Sequence, residues 1–208
     1  MAQYPEAMIT TDFSDLNFYF VFGGPGAGNG TICTRLAQDL GLAHVCVGDL
    51  LRAQMKHFSG DCPAWEQVEQ AMREGKLAPI EAIEMVLLKE LRQTQSTAVL
   101  LDGFPRSLEQ MAMFERSFGV AKHGLLFSCS RETMERRVLN RSQTSNRGDD
   151  NLETLRKRFD QHEEETMPRV DKLRERNKLV EFDCDGDLDA IYEDIMSKFQ
   201  ELLTKDEK

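Results

Sequence analysis

Short apolar runs alternate with longer amphipathic stretches along most of the chain. The runs at residues 18–22, 43–47, 98–101, 124–129 and 179–184 are too short to be stable helices, and several are rich in Val or Phe, which predicts five strands. Between them the apolar positions recur at helical spacing. This predicts helices over 31–40, stopped by Gly41; 49–57; 64–74, stopped by Gly75; and 79 to about 92. Later helices are predicted over 108–118, 131–141, 151 to about 177 with a kink at Pro168, and 188–203. Strands separated by helices point to an α/β fold with a parallel sheet. The chain has no internal repeat and no low-complexity linker. Its 208 residues suit one sizeable domain, with residues 1–16 as a short N-terminal extension.

Composition narrows the partners. A formal net charge of −10 argues against nucleic acid or an anionic membrane, because a face for either needs excess Lys and Arg. No apolar stretch approaches the roughly 20 residues that cross a bilayer. The first 16 residues carry Glu6, Asp12 and Asp15 but no Lys or Arg, unlike a secretory signal or a transit peptide, so a cytoplasmic protein is expected. The five cysteines are dispersed and never form a C-x-x-C pair, which suggests reduced, partly buried thiols rather than zinc ligands or disulfides.

The chemistry starts at Gly23-Gly24-Pro25-Gly26-Ala27-Gly28-Asn29-Gly30-Thr31, between the first predicted strand and a helix. Glycines at this density let backbone N–H groups and a helix start approach phosphate oxygens. The P-loop pattern places a lysine after the last loop glycine, to reach the terminal phosphates; here Asn29 stands there, neutral and shorter. A second feature is Asp102-Gly103-Phe104-Pro105-Arg106, followed by Gln110, at the end of the third strand. An aspartate at that edge of an open parallel sheet lies where ligands bind and suits the water shell of Mg²⁺. Taken singly, Asp102 reads as a cap and Arg106 as a surface ion pair; beside a phosphate loop the pair reads as functional. From residue 131 to 158 there are eight Lys and Arg against five Asp and Glu, a local basic excess on an acidic chain. Arg137 and Arg141 share a helix face, and Arg147 sits in a polar loop able to close like a lid. Arg131, Arg136 and Arg156 read as a solvated face. By contrast, the acidic residues that crowd 181–208 most simply give the last helix a solvated side.

With these motifs the chain resembles the nucleoside monophosphate kinases, and most nearly the adenylate kinases of the short-lid type. Residues 23–31, Val47-Gly48-Asp49-Leu50-Leu51-Arg52, Glu74-Gly75-Lys76-Leu77-Ala78-Pro79, 102–106 and Arg137 through Arg158 carry the resemblance. It implies a P-loop NTPase-like, five-stranded parallel sheet in the order 2-3-1-4-5, flanked by helices. It also implies a helical monophosphate-binding flap near 47–78 and a short, cysteine-free lid near 140–150. ATP is implied on Gly26, Ala27, Gly28, Asn29, Gly30 and Thr31, with Arg137 and Gly186. The monophosphate is implied against Val47, Gly48, Arg52, Lys76, Leu77, Ala78, Gly103, Phe104, Pro105, Arg106 and Gln110, with Arg147 and Arg158. Arg52, Arg106, Arg141, Arg147, Arg158 and Asn29 make up the implied catalytic set, and Asp102 is implied to hold Mg²⁺ through water.

The implied activity is reversible phosphoryl transfer from Mg·ATP to AMP by a monomer. In the uridylate/cytidylate kinases the position of Gln110 is typically asparagine and Gly48-Asp49 typically reads Gly-Glu, which favours AMP. Val47 departs from the threonine usual in adenylate kinases. A UMP/CMP kinase, or a nucleotide-binding homologue acting as a sensor or scaffold, is the alternative.

Overall fold

A computed structural model describes residues 12–57, 62–142 and 152–206. Five strands, β1 (Asn17–Gly23), β2 (Ala43–Cys46), β3 (Ala98–Asp102), β4 (His123–Ser128) and β5 (Leu179–Asp183), form one sheet in the order β2-β3-β1-β4-β5. Every pairing is parallel; Phe20, for example, lies opposite Leu101 on one side and Gly124 on the other. A parallel pair needs a crossover, and helices supply it on both faces. They are α1 (Asn29–Leu40), α2 (Val47–His57), α3 (Pro63–Arg73), α4 (Ile80–Leu91), α5 (Leu108–Ser117), α6 (Arg131–Ser142), α7 (Leu152–Gln161), α8 (Met167–Glu175) and α9 (Leu188–Asp206).

Side chains alternate across β1 and divide the interior in two. Phe18, Phe20 and Phe22 join Val99, Leu101 and Leu126 in a core with residues of α2, α4, α5 and α8. Tyr19 and Val21 join Leu100, Leu125 and Phe127 in a core with residues of α1, α6, α7 and α9. Phe13, before β1, packs at 5.4 Å between ring centroids on Phe118. Phe114 is the hub of the first core: its ring meets those of Phe18, Phe20, Phe118 and Phe104 at 5.0, 5.2, 5.1 and 5.6 Å. No helix among the described residues is long and apolar enough to cross a membrane.

The structure departs from the predicted elements in two places that shape the site. Val47, predicted to end the second strand, instead opens α2, where its side chain is buried in the first core. The helix predicted from 151 to about 177 with a kink at Pro168 is interrupted beside that proline, but by a full π turn rather than a simple bend. Between α7 and α8 the turn His162–Thr166 is a π-helix, and Asn151 lies outside the described residues. The cause is close at hand: Pro168 has no N–H to donate back to residue 164, so the ladder lacks the bond that would hold that turn α-helical.

Phe114→Ala is expected to cost about 3–5 kcal/mol, because it removes a fully buried ring from four aromatic contacts. Urea unfolding followed by circular dichroism measures it; a cost below about 1 kcal/mol contradicts the hub.

Candidate active site

The loop after β1 is shaped by its glycines. Gly26 has φ 89°, and a Cβ there would stand 2.4 Å from the Met134 carbonyl oxygen on α6, so no other residue fits without displacing backbone. Gly28 has φ 106° and leads directly into α1, whose first turn has no side-chain cap and no acidic residue. Its first N–H groups therefore face the loop's concavity, an arrangement suited to anions. Asn29, at the head of the helix, turns back: its Nδ2 donates to the Gly23 carbonyl at 3.4 Å, and its Oδ1 has no hydrogen-bond partner among the described residues. The amide is thus folded onto the loop rather than extended to where a lysine ammonium would reach.

The loop opens onto one cavity of about 1070 Å³. Gly26, Gly28, Asn29, Gly30, Thr31 and Arg137 line it on the loop side. Val47, Gly48 and Arg52 enter from α2, Lys76, Leu77 and Ala78 from the segment before α4, and Gly103, Phe104, Pro105, Arg106 and Gln110 from the segment after β3. Arg141 and Arg158 close the far wall. Ala27 and Gly186 stand outside that wall and are tied to it by Arg137: Nη1 donates to the Ala27 carbonyl at 3.3 Å, and Nη2 to those of Cys184 at 3.0 Å and Gly186 at 3.4 Å. Arg147 and most of the segment 140–150 lie outside the described residues.

Several of these cations are held by short local contacts. Arg52 Nη2 donates to Asp49 Oδ1, one turn back on α2, at 2.6 Å. Arg106 Nε donates to the Gly103 carbonyl at 2.8 Å, across a turn in which Gly103 has φ 65°. Ser107 caps α5 by accepting from the Gln110 N–H, and this places the buried Gln110 amide so that its Oε1 accepts from the Arg106 N–H at 2.7 Å. Because that partner is a donor, the amide orientation is settled: the oxygen faces Arg106, and the NH₂ is the group left for a ligand.

Asp102, only 7% exposed, places Oδ2 3.2 Å from His44 Nε2 and 3.8 Å from where a Cβ on Gly30 would stand. The Cys33 thiol belongs to the same cluster, but burial first and Asp102 second push it well above its ordinary range. A protonated thiol is a poor ligand, whereas a carboxylate beside a phosphate loop suits a hard, hydrated ion such as Mg²⁺. Burial likewise raises Cys46 and Cys184 to about 12 and Cys129 to about 11, and all five cysteines are free thiols.

Among the described residues, eight Lys and Arg line the cavity against two carboxylates, Asp49 and Asp102, on a chain whose net charge is −10. A cleft of one sign concentrates ligands of the other, and a wall this basic selects a polyanion. The chain matches a family model, described as Adenylate kinase, over residues 21–178. The chain belongs to the adenylate kinase family. It is similar to UMP-CMP kinase 1 of Oryza sativa subsp. japonica, 37% identical over 188 residues that cover 90% of this chain and 75% of that one. To Adenylate kinase 1 of Schistosoma mansoni it is also 37% identical, over 189 residues that cover 89% and 94%. The uridylate kinase of Schizosaccharomyces pombe is 36% identical over 191 residues, 90% and 99%. Like these relatives, the chain is a nucleoside monophosphate kinase, a phosphotransferase.

Several residues that line this cavity, among them Arg35, His44, His162, Thr166 and Arg169, escaped the sequence reading. A signal existed for the last three, since Arg158, His162, Thr166 and Arg169 follow at spacings of four, four and three, one helical face, and all four line the cavity. The basic excess that drew notice ends at Arg158. His162 lies against the loop, its Cδ2 3.4 Å from where a Cβ on Gly24 would stand. Burial, then Arg169 and Arg106, lower its pKa from 6.5 to about 4, so it is a neutral imidazole near pH 7.

That shift has a sign. The unfolded chain takes up this proton near pH 6.5 and the folded chain only near 4, so stability is whole above 6.5 and falls as pH drops through that window. The loss from this group is about 3 kcal/mol. Urea unfolding of the chain and of His162→Gln from pH 7 to 4 measures it; equal slopes for both would contradict a buried neutral imidazole.

Proposed function

We propose that the chain transfers a phosphoryl group reversibly from Mg·ATP to AMP, giving two ADP. The observation that carries this is the cavity wall, in which a phosphate loop, an acceptor flap and the arginines of α6 and α7 surround one space. In this reading the loop and the start of α1 bind the donor phosphates through backbone N–H groups. Arg52 and Arg106 hold the acceptor phosphate, and their contacts to Asp49 and Gly103 set their orientation before the ligand arrives. An acceptor oxygen then attacks the terminal phosphorus in line, forming one P–O bond as the bond to the leaving ADP oxygen breaks. No covalent enzyme intermediate is involved. Arg141 and Arg158, joined by Arg147, neutralise charge on the equatorial oxygens. Mg²⁺, its water shell ordered by Asp102, would offset charge on the donor phosphates when bound.

Gln110 supports AMP over UMP. Its Oε1 is committed to the Arg106 N–H, so its NH₂ suits a base edge with an acceptor nitrogen, as adenine and cytosine have and uracil lacks. The mixture of adenylate, uridylate and UMP-CMP kinases among the relatives leaves this choice to the residues. The setting we propose is a cytoplasmic monomer whose partners are nucleotides, with neither nucleic acid nor membrane.

Asn29 lowers the rate more than it weakens binding, because backbone amides and the arginines remain. A coupled assay of the chain and of Asn29→Lys with AMP, CMP and UMP is expected to rank AMP first and UMP last by kcat/KM. The lysine variant should raise kcat, by at most the roughly 10²–10³-fold that one such donor carries. If neither form phosphorylates AMP, the adenylate reading fails. If only the lysine form does, the chain is a nucleotide-binding homologue rather than a working enzyme.

A further inference from the structure

The guanidinium of Arg169 occupies an unusual place. It lines the nucleotide cavity although the residue is only 1% exposed. It shares the one buried face of its helix: Val170 and Leu173, its neighbours on α8, belong to the first core at 0% and 1% exposure. Its Nη2 donates to Thr166 Oγ1 at 2.8 Å, at the end of the π turn. That turn and Pro168 set the angle at which α8 leaves α7, and so bring Arg158, His162, Thr166 and Arg169 to the same wall. The location within the cavity is fixed by His162. Its ring rests against Gly24 of the phosphate loop and feels the positive charges of both Arg169 and Arg106. Arg169 and Arg106 thus both act on a ring that rests against the phosphate loop, and both line the same cavity.

Arginine remains charged when buried, and its pull on a phosphate is stronger where water is excluded. Meanwhile the usual cation of the loop is missing, with Asn29 neutral and folded onto Gly23. We propose that Arg169 is a relocated phosphate-binding cation, which supplies from the opposite segment of the cavity lining, at the start of α8, the positive charge that Asn29 does not. The proposal rests on the kinase reading above. A bland alternative is that Arg169 only staples α8 to Thr166.

The two are separated by variants that keep one property and lose the other. Arg169→Gln keeps a donor for Thr166 and loses the charge; Arg169→Lys keeps the charge. Arg169→Met is a second neutral variant should glutamine fail to fold, since an apolar side chain of similar reach is often tolerated in place of a buried ion. Each is made in the parent chain and in the Asn29→Lys background. Folding is checked by thermal melting, AMP turnover by coupled assay, and binding of diadenosine pentaphosphate by calorimetry. With Asn29 in place, loss of the charge is expected to lower kcat by roughly 10²–10³-fold and to weaken binding of the pentaphosphate, with Arg169→Lys recovering most of both. In the Asn29→Lys background the same loss should shrink to less than about tenfold, the non-additivity of two groups serving one charge.

Unchanged turnover and binding in a folded neutral variant, or equal losses in both backgrounds, would overturn the proposal while leaving the kinase reading intact. If the parent chain neither turns over AMP nor binds the pentaphosphate, the kinase reading fails first and the role of Arg169 goes with it.

Discussion

Five strands run in one direction in a sheet with helices on both faces, and this constraint places nearly everything else. Parallel neighbours are joined only through crossovers, so every strand must deliver its C-terminal end to the same edge. At that edge the chain leaves β1 through the glycine loop, β2 into α2, β3 through Asp102 to Arg106, and β5 through Cys184 to Gly186. Groups distant in sequence thus arrive at one cavity with no further device. The two cores divided by the alternation of β1 hold those loops from behind, which is why Phe114 matters to a site it does not line.

Charge is the second organising fact. An acidic chain has collected eight basic side chains around one cavity, a costly arrangement unless polyanions repeatedly occupy it. Several of these side chains are held by short contacts: Arg52 on Asp49, Arg106 on the Gly103 carbonyl, Arg137 across the Ala27 and Cys184 carbonyls. Such restraint lowers the reorganisation that binding or reaction would otherwise require. It also means that the neutral Asn29 removes one contributor from an electrostatic field made by many.

The π turn at His162–Thr166 shows how a local irregularity serves the site. A regular helix continued through Pro168 would need a hydrogen bond that proline lacks. The wider turn absorbs the fault, and the residues around it, His162, Thr166 and Arg169, are the ones that reach the cavity. Their 4-4-3 spacing with Arg158 was present in the sequence, yet the same spacing is what any solvated helix face shows. Burial of Arg169 separates the two meanings, and burial is a property of packing.

The sequence by itself determined the alternation of elements, the glycine-rich loop, the segments that line the cavity beside it, and the family. Each rests on local pattern: apolar period, glycine density, and the order of short motifs along the chain. Tertiary structure alone decided that Val47 begins a helix, that the kink expected at Pro168 takes the form of a π turn, that Asn29 folds onto Gly23, and that Gln110 offers its NH₂ rather than its oxygen. All four depend on partners far apart in sequence or on the balance of hydrogen bonds across a turn, and neither is visible to residues read one neighbourhood at a time.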